Sequence, residues 1–500
     1  MSNKKYDKKY DKKYDIVIVG GGPSALALAQ ACSSINKRVV IVEKESTIGG
    51  CHRVRRVPVK YNNKTEYAFT EHGPRVYSST YKVFINLLQD MNLSFHDLFT
   101  QYNFNIGNIG GYTVWTKLST SEIIKFAFAF LNLIIFKNYG KDISVFDFAK
   151  NNNFSEKSID FLDRVCRLTD GATANNYTLF QFLQLFNQQM FYNLYQPRVP
   201  NDIGLFTLWE SRLKDRGVDF IFNTEINNIV QNNATASHIV STNGTKIFGD
   251  NFVIAIPPDN LTNILKRSDK IIQSSFGEIE SMNDWNQKTK YLDYISATLH
   301  WDTDLKLDKI WGFPKTEWGI AFVVLSDYMD LKQDISKTVI STAITITDVK
   351  STSTNRLPDE CSKEELLQEI YIQLKISYPL LPIPTFSILS PGVIFDKIKW
   401  ISKDTAFIST TQQPFLHPQS KTISNLYSLG THNGTHLYNF TSLESAVTNG
   451  ISLSHLLYPE LQNRYQITRS THVSDVIIIC LILIIIYLYY SYTKRNDVFK

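Results

Sequence analysis

Residues 15–50, DIVIVGGGPSALALAQACSSINKRVVIVEKESTIGG, set two short apolar runs around a glycine turn and end on a second glycine pair. Asp15 to Val19 reads as a buried parallel strand. Gly20, Gly22 and Ala25 fill the three places of a G-x-G-x-x-G/A turn, with Pro23 and Ser24 opening the helix that follows. Each small residue has its own task. Gly20 permits the tight turn, Gly22 lets a pyrophosphate approach the backbone, and Ala25 lets the helix pack closely on the strand. The helix N-terminus offers free N–H groups to the phosphates. Val39 to Val42 supplies the second strand, and Glu43 ends it where a carboxylate can accept hydrogen bonds from a ribose 2′-OH. A glycine turn alone is weak evidence, but strand, turn, helix, strand and acid in this order predict a dinucleotide cradle.

Five hundred residues exceed what one hydrophobic core organises, so two intertwined or consecutive domains are expected. The net charge is +5, yet six lysines and two aspartates between Lys4 and Lys13 carry four of those charges. A near-neutral body excludes a nucleic-acid-binding surface, which needs basic residues clustered on the fold itself. The repeated KKYD tetrad lacks apolar periodicity and reads as a disordered basic tail, residues 1–13. No apolar stretch follows those lysines, so the tail is not a signal peptide. Cys32, Cys51, Cys166, Cys361 and Cys480 lack CxxC or metal-like spacing and read as reduced thiols.

Val476 to Tyr492, VIIICLILIIIYLYYSY, is nearly free of polar side chains and as a helix would cross about 26 Å. It reads as a membrane span at 475–492, with tyrosines, Lys494 and Arg495 as interfacial anchors. With no earlier span, a tail-anchored protein with a cytosolic body is expected. Ile123 to Phe136 is also apolar, but Lys125 and Asn132 interrupt it, and a core or pocket-lining helix is the better reading. Residues 155–192 carry two helical patterns separated by DGATANN at 170–176. From Gly204 the texture changes to a helix, a stop at Gly217 and strands, with a later strand, Asn251 to Ile256, ended by Pro257 and Pro258. YISATLHW at 294–301 and TVISTAITIT at 338–347 point to a second sheet. A strand, glycine-rich loop and helix follow at 426–457, where Thr441 or Ser442 can cap the helix and Glu444 favours its positive end.

On these features the chain resembles the flavin-containing amine oxidase superfamily, which includes monoamine oxidases, protoporphyrinogen oxidases and phytoene desaturases. The resemblance rests on Gly49–Gly50 after Glu43, FTEHGPRVYS at 69–78, GLFTLWESRL with VDFIFNTEINNI, AIPP at 255–258, and SLG…SLESAVTNG. FTEHGPRVY looks particularly like the protoporphyrinogen oxidase form, and Trp400 followed by Gln413–Pro414 is similar to that branch and to the desaturases. It implies an α/β fold: an FAD-binding Rossmann-like domain (14–80, 204–265 and 420–460) interleaved with an α+β substrate domain (81–203 and 266–419). It also implies that Gly20, Gly22, Pro23, Ser24 and Ala25 hold the FAD pyrophosphate, Glu43 the ribose, and Gly49 and Gly50 the ribityl chain. Arg53, Gly73, Pro74 and Arg75 join the cofactor set, Ile226 meets adenine, and Gly430, Thr431 and Leu443 approach the flavin. A helix N-terminus at Leu443 would stabilise the negative charge of a reduced flavin.

Three departures accompany the resemblance. Cys51 and His52 precede Arg53 where the family places an arginine directly after the glycines; Thr431 replaces an acid; and no cysteine lies between Cys361 and Cys480 to attach a flavin, so FAD should be noncovalent. The implied reaction is hydride transfer to flavin from a C–N or C–C bond of a small amine or apolar substrate, with reoxidation by oxygen. No nucleophile–base pair or metal spacing stands out, and THNGTH at 431–436 lies on a loop beside the nucleotide site. No catalytic residue or metal ligand is therefore assigned. The rival readings are an NAD(P)-dependent oxidoreductase and a non-catalytic interaction protein like the Rab GDP-dissociation inhibitors, which share this fold.

Overall fold

The computed structural model describes residues 13–102, 117–136, 138–189, 193–288, 295–308, 316–331, 334–403, 415–434, 442–469 and 471–498. Most of the KKYD tail, Gln413–Pro414, Thr441 and His436 lie outside the described residues. The first apolar run forms β1 (Lys13–Val19), so Lys13 belongs to the sheet rather than to the tail. α1 (Pro23–Ser33) and β2 (Val39–Val42) complete the opening unit; α1 is buried on every side, as its run of alanine and leucine allows. The hairpin of β3 (Val54–Tyr61) and β4 (Lys64–Glu71) turns on Asn62 and Asn63, at φ 48° and 63°, a conformation asparagine tolerates.

A helical layer follows: α2 (Lys82–Asp90), α3 (Thr120–Ile135), α4 (Glu156–Asp170) and α5 (Leu179–Asn187). Gly171, in the left-handed conformation, ends α4, and Thr178 caps α5, so the predicted break between two helices is present. α3 departs from the expected core helix. Ala129, Leu133 and Ile134 are buried, but Ile124, Phe128, Leu131 and Ile135 are exposed, and none of its residues lines the main cavity.

The chain then returns through α6 (Leu205–Asp215) to β5 (Asp219–Ile221), β6 (Ile226–Asn232), β7 (Thr235–Ser241), β8 (Lys246–Ile254) and α7 (Pro258–Lys266). The second sheet is antiparallel, in the order β10 (Ile320–Val324), β11 (Thr338–Ile344), β9 (Ile295–Trp301), β12 (Phe386–Leu389). One face of it packs Ile320, Phe322, Val324 and Ile344 against Leu366 and Ile370 of α8 (Lys363–Leu374). β13 (Leu426–Ser428) and α9 (Leu443–Leu457) close the body.

Seven strands form the main sheet, in the order β5-β2-β1-β8-β7-β6, with β13 beside the C-terminal half of β8. The β1, β2, β5, β8 and β13 pairings are parallel, and β6 and β7 add an antiparallel edge. The C-terminal ends of β1 and β2 face the glycine turns, the usual crevice for ligands in parallel sheets. Beyond the body runs α10 (Val473–Val498), whose Val473–Thr493 stretch has mean hydropathy 2.5 with only 6% of its core window buried. By length and composition it can cross a membrane.

Candidate functional site

The two glycine turns are fastened to each other. Gly49 N–H donates to Gly21 O at 2.8 Å, and a Cβ on Gly50 would lie 3.1 Å from Gly22 Cα. Gly20 has φ +103°, and a Cβ there would sit 2.3 Å from Ala255 O, so neither turn shape nor space admits a side chain. Gly22 differs. The nearest atom to its would-be Cβ is Gly50 Cα at 3.9 Å, leaving open volume above the start of α1. That volume is where the G-x-G-x-x-A reading puts a pyrophosphate.

Glu43 is 5% exposed and already engaged: Gly21 N–H donates to Oε2 at 2.7 Å and Glu45 N–H to Oε1 at 3.0 Å. A carboxylate has further lone pairs, so bracing the turn leaves it able to accept a ribose hydroxyl. The Arg53 guanidinium donates to Thr47 O at 2.9 and 3.1 Å and stands 3.4 Å from Glu43 Oε1. The displaced arginine thus ties the loop 43–53 together while still reaching the cavity wall.

One cavity of about 400 Å³ gathers most of the residues singled out in the sequence. Gly20, Gly22, Pro23, Ser24, Glu43, Gly50, Arg53, Gly73, Pro74, Arg75, Ile226, Gly430, Thr431 and Leu443 all line it. Ala25 and Gly49 do not: Ala25 is wholly buried in α1, and Gly49 acts through its bond to Gly21. Ser442 opens α9 by accepting from Ser445 N–H at 3.0 Å, and Leu443 and Ala446 present the first turn of that helix to the cavity. Gly450 sets its approach, since a Cβ there would meet Ser24 O at 2.4 Å. Two helices, α1 and α9, therefore begin at the same cavity, and both N-termini favour negative charge there.

Sequence reasoning missed other lining residues. Ala321 and Val323 of β10, Ala343 of β11, Leu168 and Thr169 of α4 and Leu185 of α5 face the cavity, joined by Tyr81 and Lys403. A period-two signal was available in β10, where Ala321 and Val323 alternate with the core-facing Ile320, Phe322 and Val324. Tyr81 and Lys403 carry no comparable local signal.

His52 and Arg75 mark the polar side of this end. His52 Nδ1 lies 3.2 Å from the Tyr77 hydroxyl, which also accepts from Asn201 Nδ2 at 2.8 Å. Burial, then the charges of Arg75 and His72, hold the imidazole well below its ordinary pKa, so it is neutral. The Arg75 side chain is 12% exposed; its Nε is 3.7 Å from Glu71 Oε2, and among the described residues Nε and Nη2 have no hydrogen-bond partner. Burial raises the Glu71 carboxyl, weakening that pair as a source of compensation. Orphaned guanidinium donors on a cavity wall suit a bound acceptor group. His432 also lines the cavity; its Nε2 lies 2.8 Å from Ser428 Oγ, and burial lowers its pKa to about 3. Among the described residues no group of three or more His, Cys, Asp or Glu side chains could hold a metal.

Comparisons with known proteins agree with this fold. A family model described as an NAD(P)-binding Rossmann-like domain matches residues 18–91. UDP-galactopyranose mutase of Mycoplasma genitalium is 30% identical over 155 residues, and the match spans about a third of that enzyme (33%) and 30% of this chain. Putrescine oxidase bound to putrescine superposes with TM-score 0.60 at 14% identity, covering 90% of this chain and 99% of that one. An oxidoreductase from Methanosarcina mazei superposes with TM-score 0.54 at 12% identity over 88% of this chain and 99% of that one. The fold is thus shared, over about nine-tenths of this chain, with putrescine oxidase and with the Methanosarcina mazei oxidoreductase.

Proposed function

We propose that this chain, which has the fold of the flavin-containing amine oxidases, is an FAD-dependent oxidoreductase acting on a small amine or apolar substrate. The observation that carries the reading is one cavity lined both by the glycine turns and Glu43 and by small apolar side chains of β10 and β11. When bound, FAD supplies the acceptor for a hydride from a C–N or C–C bond and returns to its oxidised form with oxygen.

The chain's own residues bind, orient and exclude water. Gly22 and the α1 N-terminus receive the pyrophosphate, Glu43 the ribose, and Ile226 the adenine. Gly430, Thr431 and the first turn of α9 face the flavin, where the helix dipole favours the reduced, negatively charged state. Ala321, Val323 and Ala343 leave room for a substrate and keep its surroundings dry. With no cysteine available near Thr431, FAD is held noncovalently. In this reading 14–80, 204–265 and 420–460 form the cofactor domain, 81–203 and 266–419 the substrate domain, and α10 holds the body on a bilayer.

The test is the visible absorbance of the full chain purified in detergent. An oxidised-flavin spectrum whose chromophore leaves the protein on denaturation supports noncovalent FAD, and anaerobic bleaching by an amine or an apolar donor identifies the substrate class. A colourless protein that does not take up added FAD overturns the proposal and returns the chain to the non-catalytic reading.

A further inference from the structure

We infer that the outer face of α3 is a second membrane-contact surface, seated in the interfacial region of the same bilayer that α10 enters. Ile124, Phe128, Leu131 and Ile135 recur at helical spacing and are 48–67% exposed, and Phe136 extends the stripe at 63%. None of the exposed residues from 120 to 136 is charged. A helix apolar on its outer face as well as its inner one is ordinarily covered.

α3 is also fixed in place. Glu122 accepts from Ser119 N–H at 2.6 Å in a capping box and from Ser155 N–H at 2.8 Å, tying the start of α3 to that of α4. Inward, Phe126 meets Phe148 and Phe182 at ring distances of 5.2 and 5.8 Å. The stripe is therefore a rigid part of the body.

Its occupant follows from α10. That helix touches α3, and the residue before its first turn, His472, lies 2.8 Å from the Asn187 amide at the end of α5. Lipid surrounding α10 is then within reach of α3. At sixteen residues, about 24 Å, α3 has polar Thr120 and Ser121 at one end and Lys125 and Asn132 along its flank, which suits a helix lying in the interface rather than crossing it.

The proposal rests on α10 spanning the bilayer, and the experiment separates the two. Single tryptophans are added to the full chain at Phe128, at Leu483 in α10, and at Tyr67, exposed on β4 far from the stripe in sequence. Fluorescence of each Phe128→Trp, Leu483→Trp and Tyr67→Trp chain is read against the parent, with its seven native tryptophans, in vesicles of brominated phosphatidylcholine. The expected result is quenching of the Phe128→Trp signal at least about twofold beyond that of Tyr67→Trp. Equal signals at 128 and 67 with quenching at 483 overturn the α3 surface and leave the span intact. Absence of quenching at both 483 and 128 overturns both. A tryptophan at 128 shielded from bromolipid and from aqueous iodide alike means a second copy of the chain covers the stripe, which also overturns the proposal.

Discussion

The carboxylate of Glu444, on the first turn of α9, accepts hydrogen bonds from Val83 and Phe84 amides at 2.8 and 3.0 Å, so it caps α2 while sitting at the start of its own helix. Two helix N-termini converge on one acid that is 1% exposed. The end of α9 that borders the cavity is thereby locked to the helical layer. Burial pushes this carboxyl up to about 8 even though both amides favour its charged form.

Between its ordinary 4.5 and about 8, the folded chain keeps a proton that the unfolded chain has released. Stability from this group therefore falls as pH rises through that window, by about 1.4 kcal/mol per unit. Glu444→Gln does not titrate, so its stability relative to the parent should improve from pH 6 to pH 9, measured by urea midpoints. A constant difference would mean the acid is already ionised at pH 6. Glu444→Ala, which leaves two buried amides unpaired, should cost about 2–4 kcal/mol.

Arg56 joins β3 to two acids from distant parts of the chain. It meets Asp202 at 2.8 and 3.2 Å and Asp334 at 3.2 Å, and the Asp334 side chain is only 1% exposed. Arg56→Met should destabilise by about 2–4 kcal/mol, because Asp334 stays buried and loses its guanidinium partner, keeping Phe69 N–H and the Ser336 groups. Asp202→Asn, at a 23% exposed side chain, should cost about 1 kcal/mol or less. Equal losses in thermal unfolding would contradict this ordering.

What the sequence disclosed follows the range of the forces involved. The opening strand, turn and helix are local, written in Gly20, Gly22 and the apolar run to Val42, and they fold as read. The cap at Ser442 and the break at Gly171 are equally local. Glu444 was legible only as a charge at its own helix, because its partners Val83 and Phe84 come from a remote segment. Arg53 read as a cofactor contact and is also a brace, since the loop that returns it to Thr47 and Glu43 is a tertiary feature. For α3, two polar residues in an apolar run suggested a core helix; composition could not say that Ile124, Phe128, Leu131 and Ile135 on one of its faces would stay exposed.

Buried histidines set an acid limit. Burial lowers His300 to about 4 and His432 to about 3. Below 6.5 the unfolded chain binds protons that the folded one excludes, so stability is lost as pH falls from 6.5 toward those values, by about 1.4 kcal/mol per unit for each histidine. Glu444 acts in the opposite sense over part of this window, so a difference measurement is needed. His432→Gln, which can retain the bond to Ser428, should flatten the pH 6.5–4.5 stability profile by about one histidine's slope. An unchanged slope would mean the imidazole is already charged in the fold.

Gly20 and Gly22 are two residues apart and should fail for different reasons. Gly22 has φ −79° and ψ 171°, a conformation open to valine, and its would-be Cβ has no neighbour closer than 3.9 Å. Gly22→Val should therefore change stability by less than about 1 kcal/mol while its methyl groups fill the space above the α1 N-terminus, cutting bound flavin per chain more than about tenfold. Gly20→Val combines φ +103° with an approach of 2.3 Å to Ala255 O, so it should unfold the sheet instead. Flavin content and melting temperature, read together, separate the cases: a folded Gly22→Val chain with normal flavin would place the pyrophosphate elsewhere, whereas a folded, colourless one ties the cofactor to the turn between β1 and α1.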